Sequence, residues 1–131
     1  MSKLQTPFRY DFVGSFLRPQ ALKDAKAAYR DGKISKEEFD KVVDEEIIKV
    51  VAKQKELGFH AITDGEFRRT FWHLDFMWGL DGVAHENTGN GVKFDAELAV
   101  LDDTYLVGKI KTKAHPFVEY FKFLKQFEDE N

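Results

Sequence analysis

Two residues of this sequence have a type and a placement suited to chemistry. Ser15 lies in "DFVGSFLRP" (residues 11–19) and Glu66 lies in "TDGEFRR" (residues 63–69). A turn needs the glycine and the proline of the first stretch but has no evident use for its serine and arginine. Each of the two residues follows a short apolar segment that reads as a strand. If those strands are parallel neighbours, about 4.8 Å apart, both side chains leave the sheet at the same edge. Parallel α/β folds bind ligands at that edge, because the loops converge there and helix N-termini supply donors. Ser15, nearby backbone N–H groups and the helix start at Pro19 suit a carboxylate, and Glu66 suits an ammonium. An amino acid or a close analogue is the matching ligand. Arg18, Arg68 and Arg69 are candidate anion contacts beside it. The plainer alternative is that Ser15 satisfies a loop, that Glu66 pairs with one of these arginines, and that Arg68 and Arg69 form a solvated helix start.

The elements that must position these residues are readable in outline. "FRYDFVG" (8–14) mixes aromatic and β-branched types and stops at Gly14, which predicts a short strand. Proline at Pro19 opens a helix carrying Leu22, Ala25 and Tyr29 at helical spacing, and Asp31-Gly32 ends it. Ser35 and Glu38 form a capping-box pattern, and the helix behind it places Phe39, Val42, Val43, Ile47, Val50 and Leu57 along one face until Gly58. "FHAIT" (59–63) then predicts a second, buried strand. The order strand, helices, strand is that of a crossover connection between parallel strands.

Beyond it, "TFWHLDFMWGL" predicts a helix that loosens at Gly79 and Gly82, with Trp72, Phe76 and Trp78 as core. The alternating run "GVKFDAELAVL" predicts one strand that pairs with "TYLVGKIKT" across Asp102-Asp103 as a hairpin. Pro116 opens a last helix with Phe117, Tyr120, Phe121, Leu124 and Phe127 as a wide apolar stripe.

Composition narrows the function classes. At 131 residues the chain is expected to form a single domain, with a bulky core from its 13 phenylalanines. Twenty basic against 23 acidic residues, with no basic stripe, argues against nucleic acid. No apolar run is long enough to span a bilayer, and the N-terminus lacks an export signal, so no membrane partner and a cytoplasmic location are expected. The absence of cysteine excludes a thiolate nucleophile and any cysteine-ligated metal within the chain. His73 and Asp75 are too few for a metal site and are read as packing. His85-Glu86 lacks the second histidine of a zincin, and Gly89-Asn90-Gly91 lacks a phosphate-loop lysine and reads as a turn.

The pair "VGSFLRP" and "TDGEFRR", joined by "KVVAKQKELGF", resembles the start of the cobalamin-independent methionine synthase family, its catalytic barrel and the shorter stand-alone relatives of that barrel. The likeness runs from Arg9 to about Gly82 and more loosely through "YLVGKIK" and "HPFVEYFKFLK". It implies an α/β fold of the TIM-type (β/α)₈ class, here incomplete: the first βα units, a β-hairpin insertion and a C-terminal helix. A full barrel takes about 250 residues. The implied reaction moves a methyl group from a 5-methyltetrahydrofolate to the thiolate of homocysteine. By the same resemblance Val13, Gly14 and Ser15 contact the amino-acid part of homocysteine, and Glu66 binds its amino group.

One departure from the family pattern outweighs the matches. The family holds zinc through a histidine, a glutamate and two cysteines on later strands, and those ligands are absent here. The resemblance therefore implies a front piece of the barrel, whether truncated, split or degenerate, that carries part of the homocysteine site and is inactive alone. Self-association or a complementary barrel fragment is the expected partner. The competing readings are a non-catalytic binding or interaction module on the same scaffold, and a different thiol alkyl- or methyltransferase of the same superfamily.

Overall fold

The computed structural model describes residues 13–89, 91–94, 97–100 and 102–129. These fall into two compact units, one built from the chain up to Arg69 together with residues from Leu124 on, the other from Thr70–Phe123. The architecture is mixed α/β.

In the first unit, helix α1 (Gln20–Arg30) follows Pro19, whose fixed φ suits a helix entry and whose carbonyl accepts from the Leu22 and Lys23 N–H groups. Helix α2 (Lys36–Glu56) begins at the capping box predicted from Ser35 and Glu38. The Ser35 hydroxyl accepts from the Glu38 N–H, and the Glu38 carboxylate accepts from the Ser35 N–H. The helix ends before Gly58, which takes a φ of +77° that a glycine adopts without strain.

The two helices pack through Leu22 and Ala25 of α1 and Val43, Ile47 and Val51 of α2, with Phe67 buried in the same unit. Each large aliphatic chain buried in this way stabilises the unit by about 1.5–3 kcal/mol. Tyr29 stacks on Phe39 at 5.1 Å between ring centroids. Leu57, expected on the apolar face, is exposed instead, and the buried stripe admits two polar residues, Glu46 and Gln54.

The predicted strand over 8–14 lies mostly outside the described residues. The predicted strand over 59–63 is an irregular segment. A strand exists only through its ladder. Here the backbone of Thr63 bonds to the side chain of Gln54 rather than to a neighbouring strand. Among the described residues every strand pair is antiparallel, so the expected parallel pair has no counterpart among them.

The second unit holds the short helix α3 (Leu74–Trp78) and four strands: β1 (Asp81–Glu86), β2 (Gly91–Phe94), β3 (Glu97–Val100) and β4 (Asp103–Lys111). The alternating run over 91–101 is not one strand. It folds on itself, β2 against β3, with Val92 opposite Ala99 and Phe94 opposite Glu97. Alternation has the same period on both arms of a hairpin and does not mark the turn between them.

"TYLVGKIKT" does form a strand, β4, but its partner is β1, which the sequence reading missed. The β1–β4 register shifts between Asp81 and Val83. Gly82 sits there with a φ of +79°, so close to β4 that a Cβ would meet the Lys109 carbonyl oxygen at 2.6 Å. Only glycine fits that irregularity. Trp72 is 73% exposed and Phe76 is also exposed, contrary to the core role expected of them. Helix α4 (Pro116–Lys125) starts at its proline as predicted, although Val118 and Phe121 on it are exposed. Among the described residues no helix is long and apolar enough to cross a membrane.

Candidate functional site

The two motifs singled out in the sequence meet in the first unit. The Phe16 N–H donates to the Gly65 carbonyl at 3.1 Å, and the Arg18 guanidinium donates to the Glu66 carbonyl at 3.0 Å. Both bonds land on adjacent carbonyls of one turn, Asp64-Gly65-Glu66-Phe67, which is entered from Thr63 and held from within by local bonds. The Thr63 hydroxyl accepts from the Gly65 N–H, the Asp64 carboxylate accepts from the Glu66 N–H at 2.9 Å, and the Asp64 carbonyl accepts from the Phe67 N–H.

Gly65 is buried between two rings: a Cβ there would stand 3.0 Å from both Phe16 and Phe67, and its φ is +66°. Glu66 follows with a φ of +58°, the only described non-glycine residue on the positive side. That conformation costs a residue with a Cβ about 1–2 kcal/mol and persists only where the surroundings impose it.

The Glu66 carboxylate is partly buried and lies 3.6 Å from the Arg69 guanidinium, a long ion pair. An ionised carboxylate accepts several hydrogen bonds, so acceptor capacity remains for an ammonium group. Ser15 and Gly14 are exposed, Gly14 with a φ of +98°, and Val13 is 96% exposed.

The three arginines have separate attachments. Arg18 goes to the Glu66 backbone, Arg69 goes to the Glu66 carboxylate, and Arg68 pairs with Asp44 of α2. The Lys26 ammonium of α1 also reaches the Arg69 carbonyl. Gln54, Thr63, Asp64 and Asp44 are working residues of the turn that motif and spacing do not single out. Gln54 left a signal: it lies seven residues beyond Ile47 and three beyond Val51, on the buried stripe of α2, where an apolar side chain is the ordinary choice.

A second polar cluster lies within the second unit. The His85 ring stacks on Trp78 at 3.8 Å and 11° between planes, and its Nδ1 is 2.8 Å from the Asp102 carboxylate. The Trp78 indole N–H donates to the Thr104 hydroxyl, and Thr104 faces His85 across the β1–β4 ladder. His73 is exposed, its ring 4.7 Å from that of the exposed Trp72, and Asp75 accepts from the Thr70 and Phe71 N–H groups. Among the described residues no three histidine, aspartate or glutamate side chains converge on a point that a metal could occupy. With no cysteine in the chain, the thiolate donors of the zinc site implied by the resemblance are missing as well. The residues present do not fit that metal.

Residues 9–112 match the family model for the catalytic domain of cobalamin-independent synthase, and the chain belongs to that family. It is 37% identical to the uncharacterized protein YxjG of Bacillus subtilis over 124 residues, 95% of this chain and 33% of that protein. It is 38% identical over 77 residues to the 5-methyltetrahydropteroyltriglutamate–homocysteine methyltransferase of Thermotoga petrophila, 59% of this chain and 10% of that enzyme. A crystal structure of a Listeria monocytogenes protein described as a vitamin-B12 independent methionine synthase superposes with a TM-score of 0.76 at 40% identity. That superposition covers 95% of this chain and 34% of the other. The chain thus spans about a third of the length of YxjG and of the Listeria protein.

Proposed function

We propose that this chain carries the amino-acid half of a homocysteine site in a 5-methyltetrahydrofolate-type homocysteine S-methyltransferase, the chemistry of methionine biosynthesis. In this reading residues 1–131 are a single N-terminal part of a TIM-type (β/α)₈ barrel, with the strands of the second unit as an insertion. The observation that carries it is the junction of the two motifs: Phe16 and Arg18 bind the backbone of the turn that presents Glu66. Glu66 receives the ligand's ammonium, while Val13, Gly14 and Ser15 line its carboxylate end. Arg18 and Arg69 brace Glu66, and Arg68 anchors the turn to α2.

Zinc and the methyl-folate belong to the family's reaction, and the metal's donors must come from residues this chain does not have. The chain alone is therefore inactive in methyl transfer. A complementary barrel piece, or a second copy of the chain, is the partner this reading calls for. A binding module on the same scaffold is the alternative, and it predicts ligand binding with no effect of a complementing piece on turnover.

The test is a titration of the protein with homocysteine and with its analogue lacking the amino group, 4-sulfanylbutanoate. Glu66→Gln should weaken homocysteine by about ten- to a hundredfold, the worth of a charged hydrogen bond, and leave the analogue unchanged. Equal loss for both ligands, or none for either, contradicts the role given to Glu66.

A further inference from the structure

Gln54 is 2% exposed, and a buried amide must place both its donor and its acceptor. It places them on a single residue. Its Oε1 accepts from the Thr63 N–H at 2.9 Å, and its Nε2 donates to the Thr63 carbonyl at 2.8 Å. The same Nε2 reaches the Val50 carbonyl one turn back at 3.2 Å, which fixes the side chain to its own helix. A neighbouring β-strand offers a residue this same pair of bonds. The amide thus stands in for a strand partner where 59–63 has no ladder. Thr63 leads directly into the turn Asp64–Phe67, whose third residue is the left-handed Glu66, and its hydroxyl accepts from the Gly65 N–H.

We propose that Gln54 is the positioning residue for Glu66. From the last turn of α2, at the end of its buried stripe, it fixes the entry into the turn, and the turn holds Glu66 in a backbone conformation that Glu66 would leave if released. The proposal rests on the reading that Glu66 faces the ligand.

Gln54→Met keeps the length and fills the space but removes both bonds. In the wild-type protein the Thr63 amide should exchange slowly, and the Glu66 coupling constant should report a positive φ. In Gln54→Met, Thr63 exchange should rise at least about tenfold relative to the amides of α2 in the same sample, since losing a buried pair of hydrogen bonds opens the site locally. The Glu66 coupling should move to an ordinary negative-φ value. The preference for homocysteine over 4-sulfanylbutanoate should fall to within about twofold, with affinity for the analogue unchanged.

Gln54→Glu supplies the control that a merely structural role does not reproduce. Its protonated carboxyl can donate and accept as the amide does, so it should keep Thr63 protected at acid pH and lose that protection as the carboxyl ionises. Slow Thr63 exchange and an unchanged Glu66 coupling in Gln54→Met overturn the proposal. If the wild-type protein does not distinguish homocysteine from the analogue, the proposed function fails, and the exchange and coupling measurements still decide the role of Gln54.

Discussion

The turn that presents Glu66 and the corner around His85 both gather polar side chains, and they use them in opposite ways. At the corner the side chains satisfy one another: His85 with Asp102, Trp78 with Thr104, the His85 ring with the Trp78 ring, over an ordinary antiparallel ladder. At the turn the side chains spend their bonds on backbone: Gln54 on Thr63, Thr63 on Gly65, Asp64 on Glu66, Arg18 on the Glu66 carbonyl. The result is one carboxylate held in an unfavourable conformation with acceptor capacity to spare. A histidine and an aspartate in contact look more like catalytic machinery than a glutamate in a turn does. Mutual satisfaction is what a fastening needs, whereas a carboxylate on a strained backbone with acceptor capacity to spare is what the proposed ammonium site draws on.

The glycines of the two regions give the largest expected effects. Gly65→Ala puts a methyl against Phe16 and Phe67 at a positive φ, and should destabilise the first unit by about 2–4 kcal/mol, from overpacking plus the left-handed backbone. It should also abolish homocysteine binding. Gly82→Ala drives a methyl into the β4 backbone at a comparable cost to the second unit, yet homocysteine affinity should stay within about twofold. Urea unfolding followed separately at amides of the two units, with ligand titration of each variant, checks both. Loss of binding in Gly82→Ala would erase the distinction between the regions.

The fastening itself is worth less. Asp102→Asn should cost the second unit about 0.5–1.5 kcal/mol, the net worth of one hydrogen bond, and change no ligand affinity. A thermal melt with the same titration decides it.

The smallest effect is alkaline. The hydrogen bond to Glu46, and then its charge, raise Lys49 above the ordinary lysine value. A cationic group raised on folding stabilises fully below its unfolded pKa and loses that contribution as pH climbs through the higher folded one. Glu46→Gln should therefore flatten the loss of stability above about pH 10. An unaltered slope there would show that the pair contributes nothing to folding.

How much of this was legible in the sequence follows the range of the interactions. Ser35 and Glu38 are three residues apart, Gly58 ends its own helix and Pro116 starts its own, so the capping box, the stop and the helix start were readable from neighbours. The β1–β4 pair joins His85 to Thr104 across an intervening hairpin, and local alternation does not encode which runs pair. Ser15 and Glu66 were readable as candidates because each stands out of a glycine-bearing stretch after an apolar run. Gln54 was not, because its role depends on Thr63 arriving beside it. In the sequence it is a polar interruption in an apolar stripe, and the fold makes it the brace of the turn.

Where homocysteine is felt along the backbone distinguishes the turn from the His85 corner most directly. In an amide-resolved NMR titration of the protein, shifts should concentrate at Gly14, Ser15, Gly65 and Glu66, leave His85 and Trp78 unmoved, and disappear in Glu66→Gln at the same ligand concentration. Shifts centred on the His85 corner, or an undiminished response in Glu66→Gln, would contradict the role given to Glu66.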